Sequence, residues 1–324
     1  MSGIYVVLEE REGRIRRISW EALAAAKHLG SLTGSPVTAV VLGAATESVA
    51  AEVAGKKIDK VVRVEHPLLA SYTADGFTSA LQQLIQNQGS AQAVVFPHTY
   101  QVRDFAPALA ARLAQVLISD VVAIGDGPVF TRQLMQGRLT GSYRHAGDGP
   151  YFVSVQAGTF RADAVESGQA EVTTFTPIIE LAQIRTKPGE PFRGSAQTID
   201  LGSAQVIVSV GRGIKEETNL PLIKELASAL GAEIAASRPI CDNGWLPMER
   251  QVGSSGQTVA PKLYLAVGIS GAIQHLVGIK GSQCVVAINK DPHAPILEIA
   301  DYAIVGDLFE VVPALTAAIT AAKT

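Results

Sequence analysis

The feature that most constrains the fold of this chain is the alternation of short β-branched runs with longer segments of helical periodicity. In the first half, the β-branched runs occupy residues 4–8, 37–43, 60–66 and 93–99. Helices are predicted after Ser19, after Asp75 and from Arg103, because apolar residues recur there three and four positions apart. Strands joined by helical crossovers lie parallel in one sheet. The first half therefore predicts an α/β domain with a mainly parallel sheet.

The pattern changes over residues 129–160, where polar and apolar residues alternate between turns rich in Gly and Asp. This alternation is typical of antiparallel hairpins, so segments 129–145 and 151–160 are predicted to extend or cover the first sheet. Residues 184–205 are rich in Pro, Gly, Ser and charge, which is typical of a linker between domains. We therefore predict two domains, 1–190 and 191–324.

Beyond this linker the α/β alternation resumes in a more regular form. The predicted strands are 206–211, 233–237, 263–268, 284–289 and 302–307. Helical segments separate most of them, so the carboxy-terminal half is predicted to be a doubly wound, Rossmann-like domain with a parallel sheet flanked by helices.

Charge and hydropathy disfavour two classes of partner. A formal net charge of −3 and a pI near 6.1 give no basic field for nucleic acid, and no run of Lys and Arg is interleaved with aromatic residues. Arg112 interrupts a long apolar run, and most other apolar runs have the length of a strand, so no membrane insertion is expected. The first residues lack the pattern of a secretory leader, which favours a cytoplasmic location.

Motifs for several kinds of catalysis are missing from the sequence. Cys241 and Cys284 are far apart without CxxC spacing, so we expect two buried thiols and neither a disulfide framework nor a zinc site. The sequence contains no HExxH, GxSxG or Walker A pattern, which leaves metalloprotease, serine hydrolase and P-loop interpretations weak. No metal site is predicted.

Polar residues and glycines follow the ends of the predicted strands of the second half. They are Arg212 with Gly213, Ser237 with Arg238, Ser270 with Gly271, Asn289 and Asp307. Because the carboxyl ends of parallel strands meet at one edge, where such sheets bind ligands, we expect these residues to share a cleft. The guanidinium of Arg212 suits a phosphate, and Gly271 is expected to let an anion approach the first turn of the next helix. Together they predict a nucleotide site.

Each of these residues also has an ordinary structural interpretation. Glycine-rich turns and capping Ser, Asn or Asp residues are common punctuation in α/β folds, so any one of them alone is more often structural than functional. His275 alone is as compatible with a structural histidine as with a functional one. Only the joint placement of the set favours a ligand site.

Several of these segments resemble one family closely. They are "APKLYLAVGISGAIQHLVG" (260–278), "VVAINKDPHAPILEIADYAIVGDLFEVVP" (285–313), "VGRGI" (210–214), "AASRP" (235–239) and "QVGSSG" (251–256). Together they closely resemble the FAD-binding domain of the electron transfer flavoprotein alpha subunit (FixB family), over essentially all of 206–324. Residues 102–113, "VRDFAPALAARL", resemble the amino-terminal domain of that family more loosely.

The resemblance implies FAD as the cofactor and assigns a set of residues to it. The implied FAD-lining residues are Arg212, Ser237, Arg238, Gln251, Val252, Gly253, Ser254, Ser255, Ser270, Gly271, Ala272, Ile273, Gln274, His275, Asn289, Asp307 and Leu308. Arg212, Ser270 and the backbone at Gly271 would take the pyrophosphate, whereas Asn289 and Asp307 would face the adenosine. Arg238, His275 and Ser255 would lie at the isoalloxazine and tune it, the first two by bringing positive charge.

One segment departs from the pattern of the family, which commonly has "QVGQTG" where this chain has "QVGSSG". Ser254 thus replaces a glutamine and Ser255 a threonine, and Gln257 stands where a lysine is frequent. The change at Ser255 keeps the hydroxyl, whereas the change at Ser254 shortens a side chain that would lie near the flavin.

The resemblance also implies a function, which is that of an electron carrier and not of an enzyme. The chain would form a heterodimer with an electron transfer flavoprotein beta subunit that holds AMP, or a second FAD in electron-bifurcating members. Electrons would come from acyl-CoA dehydrogenases of fatty acid β-oxidation, or from other flavoprotein donors, and leave to a quinone oxidoreductase. An electron-bifurcating or FixB-type member that uses NADH, a stand-alone flavin oxidoreductase, and a nucleotide-binding module without redox function stay open as alternatives.

Overall fold

The structure is a computed structural model that describes residues 3–87, 91–135, 137–147, 149–189, 201–202 and 204–323. The chain divides into two compact units, Met1–Pro191 and Phe192–Thr324. The predicted domain boundary at residue 190 lies outside the described residues. Each unit is described by itself.

The first unit contains, among its described residues, a sheet of nine strands and a short two-stranded ribbon. The strands are β1 Gly3–Leu8, β2 Glu10–Arg11, β3 Arg14–Ile15, β4 Val37–Gly43, β5 Lys60–Glu65, β6 Ala91–Pro97, β7 Leu117–Gly125, β8 Val129–Leu134, β9 Leu139–Tyr143, β10 Tyr151–Val155 and β11 Glu171–Phe175. The helices are α1 Arg17–Thr33, α2 Glu47–Ala54, α3 Ala74–Asn87 and α4 Tyr100–Arg112. β2 and β3 form the ribbon.

The order of strands in the large sheet is β11-β5-β4-β1-β6-β10-β7-β8-β9. All pairs from β11 to β7 are parallel, and β8 and β9 continue the sheet in antiparallel pairs. Successive residues of β1 point to opposite faces, so Val6 packs in a core with α1 and α2, and Val7 packs in a core with α3 and α4. The sheet is therefore covered by helices on both faces, as predicted.

The prediction for segment 129–160 is confirmed in its first part and wrong in its second. β8 and β9 form the antiparallel hairpin, but Tyr151–Val155 runs parallel between β6 and β7 and all five of its residues are buried. β7 and β11 were not predicted. The neighbours of an interior strand are set by distant parts of the chain, so a turn-rich approach to Tyr151 does not identify them.

The helices of the first unit begin earlier than predicted. Ser19 lies inside α1, where its hydroxyl donates to the Glu9 carbonyl at 2.9 Å. Asp75 lies in the first turn of α3. α4 begins at Tyr100, because Thr99 caps it by accepting from the amide of Val102 at 3.1 Å.

The second unit contains, in its described part, a parallel sheet of five strands. The strands are β12 Val206–Val210, β13 Glu233–Ala236, β14 Leu263–Val267, β15 Val285–Asn289 and β16 Tyr302–Val305. The helices are α5 Leu220–Leu230, α6 Arg238–Asp242, α7 Ile273–Ile279, α8 Pro295–Ile299 and α9 Leu308–Lys323. All five predicted strands are confirmed, with ends that differ by at most two residues.

The order of strands in this sheet is β13-β12-β14-β15-β16. The chain leaves β12 toward β13 on one side and then crosses to β14 on the other, so the connections change direction beside β12. In a doubly wound sheet such a switch point opens a crevice at the carboxyl edge. One core lies on each face of the sheet, with Val208 on one side and Ile207 on the other.

Within the described ranges of both units, no helix has the length and apolar character that crossing a membrane requires.

Candidate functional site

A cavity of about 600 Å³ lies at the carboxyl edge of the second sheet, at the switch point. This volume is typical of sites for small molecules and cofactors. The cavity is lined by Arg212, Gly213, Lys215, Ser237, Arg238, Pro239, Gln251, Val252, Gly253, Ser255, Gly268, Ile269, Ser270, Ala272, Gln274, His275, Asn289, Lys290, Asp307 and Leu308.

All but three of the residues predicted for the site line this cavity. Ser254 is an exposed residue whose amide donates to the Gln274 carbonyl at 2.8 Å. Ile273 is 43% exposed at the start of α7. Gly271 is buried against α8, and a Cβ added to it would lie 2.4 Å from the amide nitrogen of Ile296. The missing side chain of Gly271 thus leaves room for α8, and the contact of its backbone with a ligand stays a prediction.

Gly213, which was expected in the cleft, also lines it, and five residues of the lining were not predicted, namely Lys215, Pro239, Gly268, Ile269 and Lys290. All of them lie within three positions of a predicted site residue. The strand-end rule that located their neighbours would have found them, had it been extended along each loop.

Backbone atoms form part of the cavity floor, where the loops after β12 and β14 meet. The amide of Gly213 donates to the carbonyl of Gly268 at 3.0 Å. A Cβ on Gly213 would lie 2.7 Å from the Cα of Gly268, and one on Gly211 would lie 2.3 Å from its carbonyl oxygen. The two loops touch because these positions lack side chains, and Arg212, between the two glycines, is exposed at the cavity wall.

The cavity wall carries an excess of positive charge. Its described lining includes four cationic side chains, those of Arg212, Lys215, Arg238 and Lys290, and one carboxylate, that of Asp307. Arg238 forms an ion pair with Asp242, whose Oδ2 lies 3.2 Å from the Arg238 Nε, so part of its positive charge is offset. A cleft of this sign attracts an anionic ligand such as a pyrophosphate.

Asn289 and Asp307 are each held in place by local hydrogen bonds. The Nδ2 of Asn289 donates to the Ile269 carbonyl at 2.8 Å. Asp307 immediately precedes α9, and its Oδ1 accepts from the amide of Phe309 at 3.0 Å. Both residues therefore have the structural function that their positions favour, and both also lie at the wall of the cavity.

The loop from Gln251 to Gln257 closes on itself beside the cavity. The Gln257 amide donates to the Gln251 carbonyl at 2.8 Å. The Gln251 side chain is 1% exposed, and its Nε2 donates to the Ser255 Oγ at 2.9 Å, while its Oε1 has no partner among the described residues. Because the Ser255 oxygen already accepts this bond, its O–H is left to donate to a ligand.

His275 is 6% exposed and lies at the inner wall of the cavity. Its Nε2 is 3.0 Å from the hydroxyl of Tyr264, and its Nδ1 has no hydrogen-bond partner in the described part of the chain. Burial lowers the pKa of His275 to about 4, although the nearby Val252 backbone opposes this shift. The ring is therefore neutral at pH 7, and the expectation that it brings positive charge to the site is wrong.

No metal centre is formed by the described residues, which contain no group of three or more His, Cys, Asp or Glu side chains able to hold one. Both cysteines are free thiols. Cys241 is buried, as predicted, whereas Cys284 is only partly buried, so that the prediction is wrong for Cys284.

Comparison with known proteins identifies related chains over nearly the whole length. Residues 4–179 match the family model described as the electron transfer flavoprotein domain, and residues 200–280 match the electron transfer flavoprotein FAD-binding domain. The chain is 39% identical over 319 residues to the electron transfer flavoprotein subunit alpha of Bacillus subtilis, which covers 97% of this chain and 96% of the relative.

Two further relatives carry other names. The chain is 33% identical over 320 residues to Protein FixB of Clostridium saccharobutylicum, covering 97% of this chain and 95% of the relative. It is 32% identical over 358 residues to the acryloyl-CoA reductase electron transfer subunit beta of Anaerotignum propionicum, covering 99% of this chain and 96% of the relative.

The cavity fits FAD, the cofactor that the matched domain binds. Its excess of cationic side chains suits the pyrophosphate. Two buried polar atoms of lining residues, the Nδ1 of His275 and the Oε1 of Gln251, have no partner among the described residues. A buried polar atom without a partner costs about 1–3 kcal/mol, and hydrogen bonds to a bound ligand would remove that cost.

Proposed function

Since the chain belongs to the electron transfer flavoprotein alpha-subunit family, which includes FixB proteins, we propose that it is the FAD-carrying subunit of an electron carrier, without a substrate of its own. Bound FAD supplies a ring that accepts and releases electrons. The observation that carries the proposal is the cavity at the switch point, which combines a cationic wall with buried polar atoms that lack partners.

At the pyrophosphate end we propose Arg212 and the Ser270 hydroxyl as ligands, with Lys215 and Lys290 adding positive charge. A hydrogen bond to a charged group contributes about 1.5–3 kcal/mol, so several of them would hold a dinucleotide firmly. The backbone of Gly271 stays a proposed contact, since α8 takes up only the space of its missing side chain.

The adenosine end is assigned to Asn289 and Asp307, which lie on the loops that follow β15 and β16. Their local hydrogen bonds support the assignment, since a side chain that is already oriented loses less conformational entropy when it binds.

At the flavin end we propose Arg238, Ser255 and His275. Ser255 offers a hydroxyl proton because Gln251 occupies its oxygen, His275 offers a hydrogen bond without charge, and Arg238 supplies positive charge that Asp242 partly offsets. These groups set the electrostatic environment of the ring and thereby its potential.

The partner that we propose is an electron transfer flavoprotein beta subunit, with which the chain forms a heterodimer. The names of the relatives, a subunit alpha and an electron transfer subunit of acryloyl-CoA reductase, support an assembly with other chains. We propose acyl-CoA dehydrogenases as donors and a quinone oxidoreductase as acceptor. The cytoplasmic location stays a prediction.

A second candidate is an electron-bifurcating or FixB-type member that takes electrons from NADH. The relative named Protein FixB and the electron transfer subunit from Anaerotignum propionicum favour this alternative. Direct reduction of the complex by NADH separates it from the first candidate. A stand-alone flavin oxidoreductase has no comparable support.

The test is purification of the chain with and without its beta subunit, followed by anaerobic mixing with an acyl-CoA and its dehydrogenase. We expect a yellow heterodimer whose flavin bleaches when the dehydrogenase is present and not with acyl-CoA alone. Bleaching by NADH in the absence of dehydrogenase would favour the second candidate. A colourless chain that assembles only with itself would contradict both.

A further inference from the structure

A tyrosine beneath the cavity, Tyr264, makes a contact that sheet packing does not require. It lies in β14 between β12 and β15, in register with Ile207 on one side and Val285 on the other. Its side chain is fully buried among aliphatic residues. A phenylalanine would fill this place without bringing a polar group into an apolar core.

The partner of the phenol is His275, which lies eleven residues further along the chain in α7. The Tyr264 oxygen and the His275 Nε2 are 3.0 Å apart, and the ring centroids are 6.1 Å apart. Nε2 is thereby engaged, and Nδ1 is left as the ring nitrogen without a partner among the described residues. The histidine lines the cavity, whereas the tyrosine does not.

The direction of this hydrogen bond decides which nitrogen of His275 carries the proton. Burial raises the pKa of the Tyr264 phenol, so the hydroxyl keeps its proton at neutral pH, and the imidazole is neutral because burial lowers its pKa to about 4. A neutral imidazole has one N–H and one acceptor nitrogen. If the phenol donates to Nε2, the ring proton must be on Nδ1.

The burial of the phenol favours this direction. Tyr264 is fully buried, and His275 is the one hydrogen-bond partner of its hydroxyl among the described residues. If the imidazole donated instead, the phenol proton would be buried without an acceptor in addition to the unpartnered Nδ1, which is the costlier arrangement. The Tyr264 proton is therefore directed toward His275.

We infer that Tyr264 is a positioning residue for the cofactor site: its hydroxyl donates to Nε2 of His275 and fixes the imidazole as the Nδ1–H tautomer. His275 then offers a bound flavin one defined donor, Nδ1–H, in place of a mixture of donor and acceptor. The effect on the flavin rests on the proposed function. The tautomer itself does not.

The variant Tyr264→Phe tests the inference, with Tyr151→Phe as the matched control. Tyr151 is also a buried tyrosine in the middle of a sheet, and its hydroxyl has no partner among the described residues. It lies in the first unit and does not line the cavity. Both changes remove one buried hydroxyl, but only Tyr264→Phe removes the donor to His275.

The first measurement is nitrogen-15 NMR of the FAD-loaded protein labelled at histidine, with the His275 signals assigned from a His275→Gln variant. We expect the Nδ1–H tautomer in the wild type and in Tyr151→Phe, and a loss of that preference in Tyr264→Phe. An Nε2–H tautomer in the wild type would overturn the inference even if Tyr264→Phe did not fold.

The second measurement is the midpoint potential of the bound FAD, which a merely structural role of Tyr264 would not move. We expect Tyr264→Phe to lower it by about tenfold in the one-electron equilibrium constant, roughly 59 mV, and Tyr151→Phe to leave it unchanged. If the tautomer and the potential were unchanged in FAD-loaded Tyr264→Phe, the inference would be overturned and the proposed function would still stand. A wild-type chain that binds no FAD would instead overturn the proposed function.

Discussion

The carboxyl edges of the two sheets carry similar residues and use them in opposite ways. In the first unit, Glu9 follows β1, and its carboxylate accepts from the Arg16 Nη1 at 2.5 Å and from the Thr99 hydroxyl at 2.6 Å. His98 follows β6, and its Nδ1 lies 2.9 Å from the Ser154 hydroxyl. The polar groups at this edge satisfy one another.

In the second unit, the corresponding edge leaves polar groups facing a cavity. Arg212, Lys215 and Lys290 line it with their charges, and Gln251 and His275 each carry a buried atom without a partner in the described residues. The difference teaches that polar residues at strand ends do not make a site by themselves. Both sheets change the direction of their connections, the first beside β1 and the second beside β12, so it is the absence of mutual pairing that sets the second edge apart.

The largest effect is expected for Arg212→Ala, which removes a positive charge from the cavity at the edge of the second sheet and should weaken FAD binding. The lost charge-assisted hydrogen bond is worth about 1.5–3 kcal/mol, so the dissociation constant of FAD should rise at least roughly tenfold. Fluorescence titration of flavin-free protein with FAD measures it, and Lys224→Ala, at an exposed lysine of α5, is the matched control. If Arg212→Ala bound FAD with wild-type affinity, Arg212 would not contact the cofactor, and the contrast between the two sheet edges would be weaker.

Acid should destabilise the second unit through His275. Its pKa is lowered from 6.5 to about 4 on folding, so below pH 6.5 the unfolded chain binds a proton that the folded chain does not. Stability is therefore lost as the pH falls through this window. Between pH 7.5 and pH 5 the loss from this residue is about 2 kcal/mol.

Urea unfolding at both pH values, followed by the fluorescence of Trp245, measures that loss in a Trp20→Phe background, where one tryptophan remains. His275→Gln should abolish this share of the pH dependence, and His293→Gln, at an exposed loop position, should keep it. An equal pH dependence in His275→Gln and in the parent would mean that the ring is not held neutral by burial.

A substitution at the edge of the first sheet, where the polar groups pair with one another, should change stability alone. Glu9→Ala leaves Arg16 and Thr99 without their acceptor, and we expect a loss of about 1–2 kcal/mol in the free energy of unfolding. Trp20 fluorescence in a Trp245→Phe background reports this unit. The affinity for FAD should not change, and a loss of FAD in Glu9→Ala would break the distinction between the two edges.

The smallest effect is expected at Arg238, whose side chain is 69% exposed and paired with Asp242. Solvent screens this charge, so Arg238→Ala should retain FAD and lower its midpoint potential by less than about 59 mV, a tenfold change in a one-electron equilibrium. Asp242→Asn should raise the potential, because it frees the guanidinium. Shifts of the same sign in a reductive titration of the two variants would argue against a role for charge at this position.

The sequence predicted the second unit better than the first, for a physical reason. Each strand of the second sheet is an apolar run followed by a glycine or a polar residue, so the run and its end are both local signals. β10 of the first unit is just as apolar and just as buried, but its parallel partners β6 and β7 are chosen by tertiary packing. Local periodicity does not encode that choice.

For the candidate site, too, local sequence signals were sufficient for positions along the chain but not for tertiary contacts. Strand ends indicated which residues gather at the edge, but not which of them pair with each other. The hydrogen bond from Gln251 to Ser255 and the one between Tyr264 and His275 need coordinates. So does the neutrality of His275, because its pKa depends on burial and not on its neighbours in the sequence. Gly271 was assigned to the ligand for lack of a side chain, although it is α8 that uses the space.

The contact between the Gly213 and Gly268 backbones limits which substitutions the lining of this cavity can accept. The glycines of the cavity floor cannot be substituted without a shift of the backbone, since even a methyl group at Gly213 would displace the opposite loop. New ligand preferences would therefore have to come from lining residues that carry side chains, such as Lys215, Gln274 and Lys290. Libraries that aim to change the ligand should keep the glycines and vary those positions.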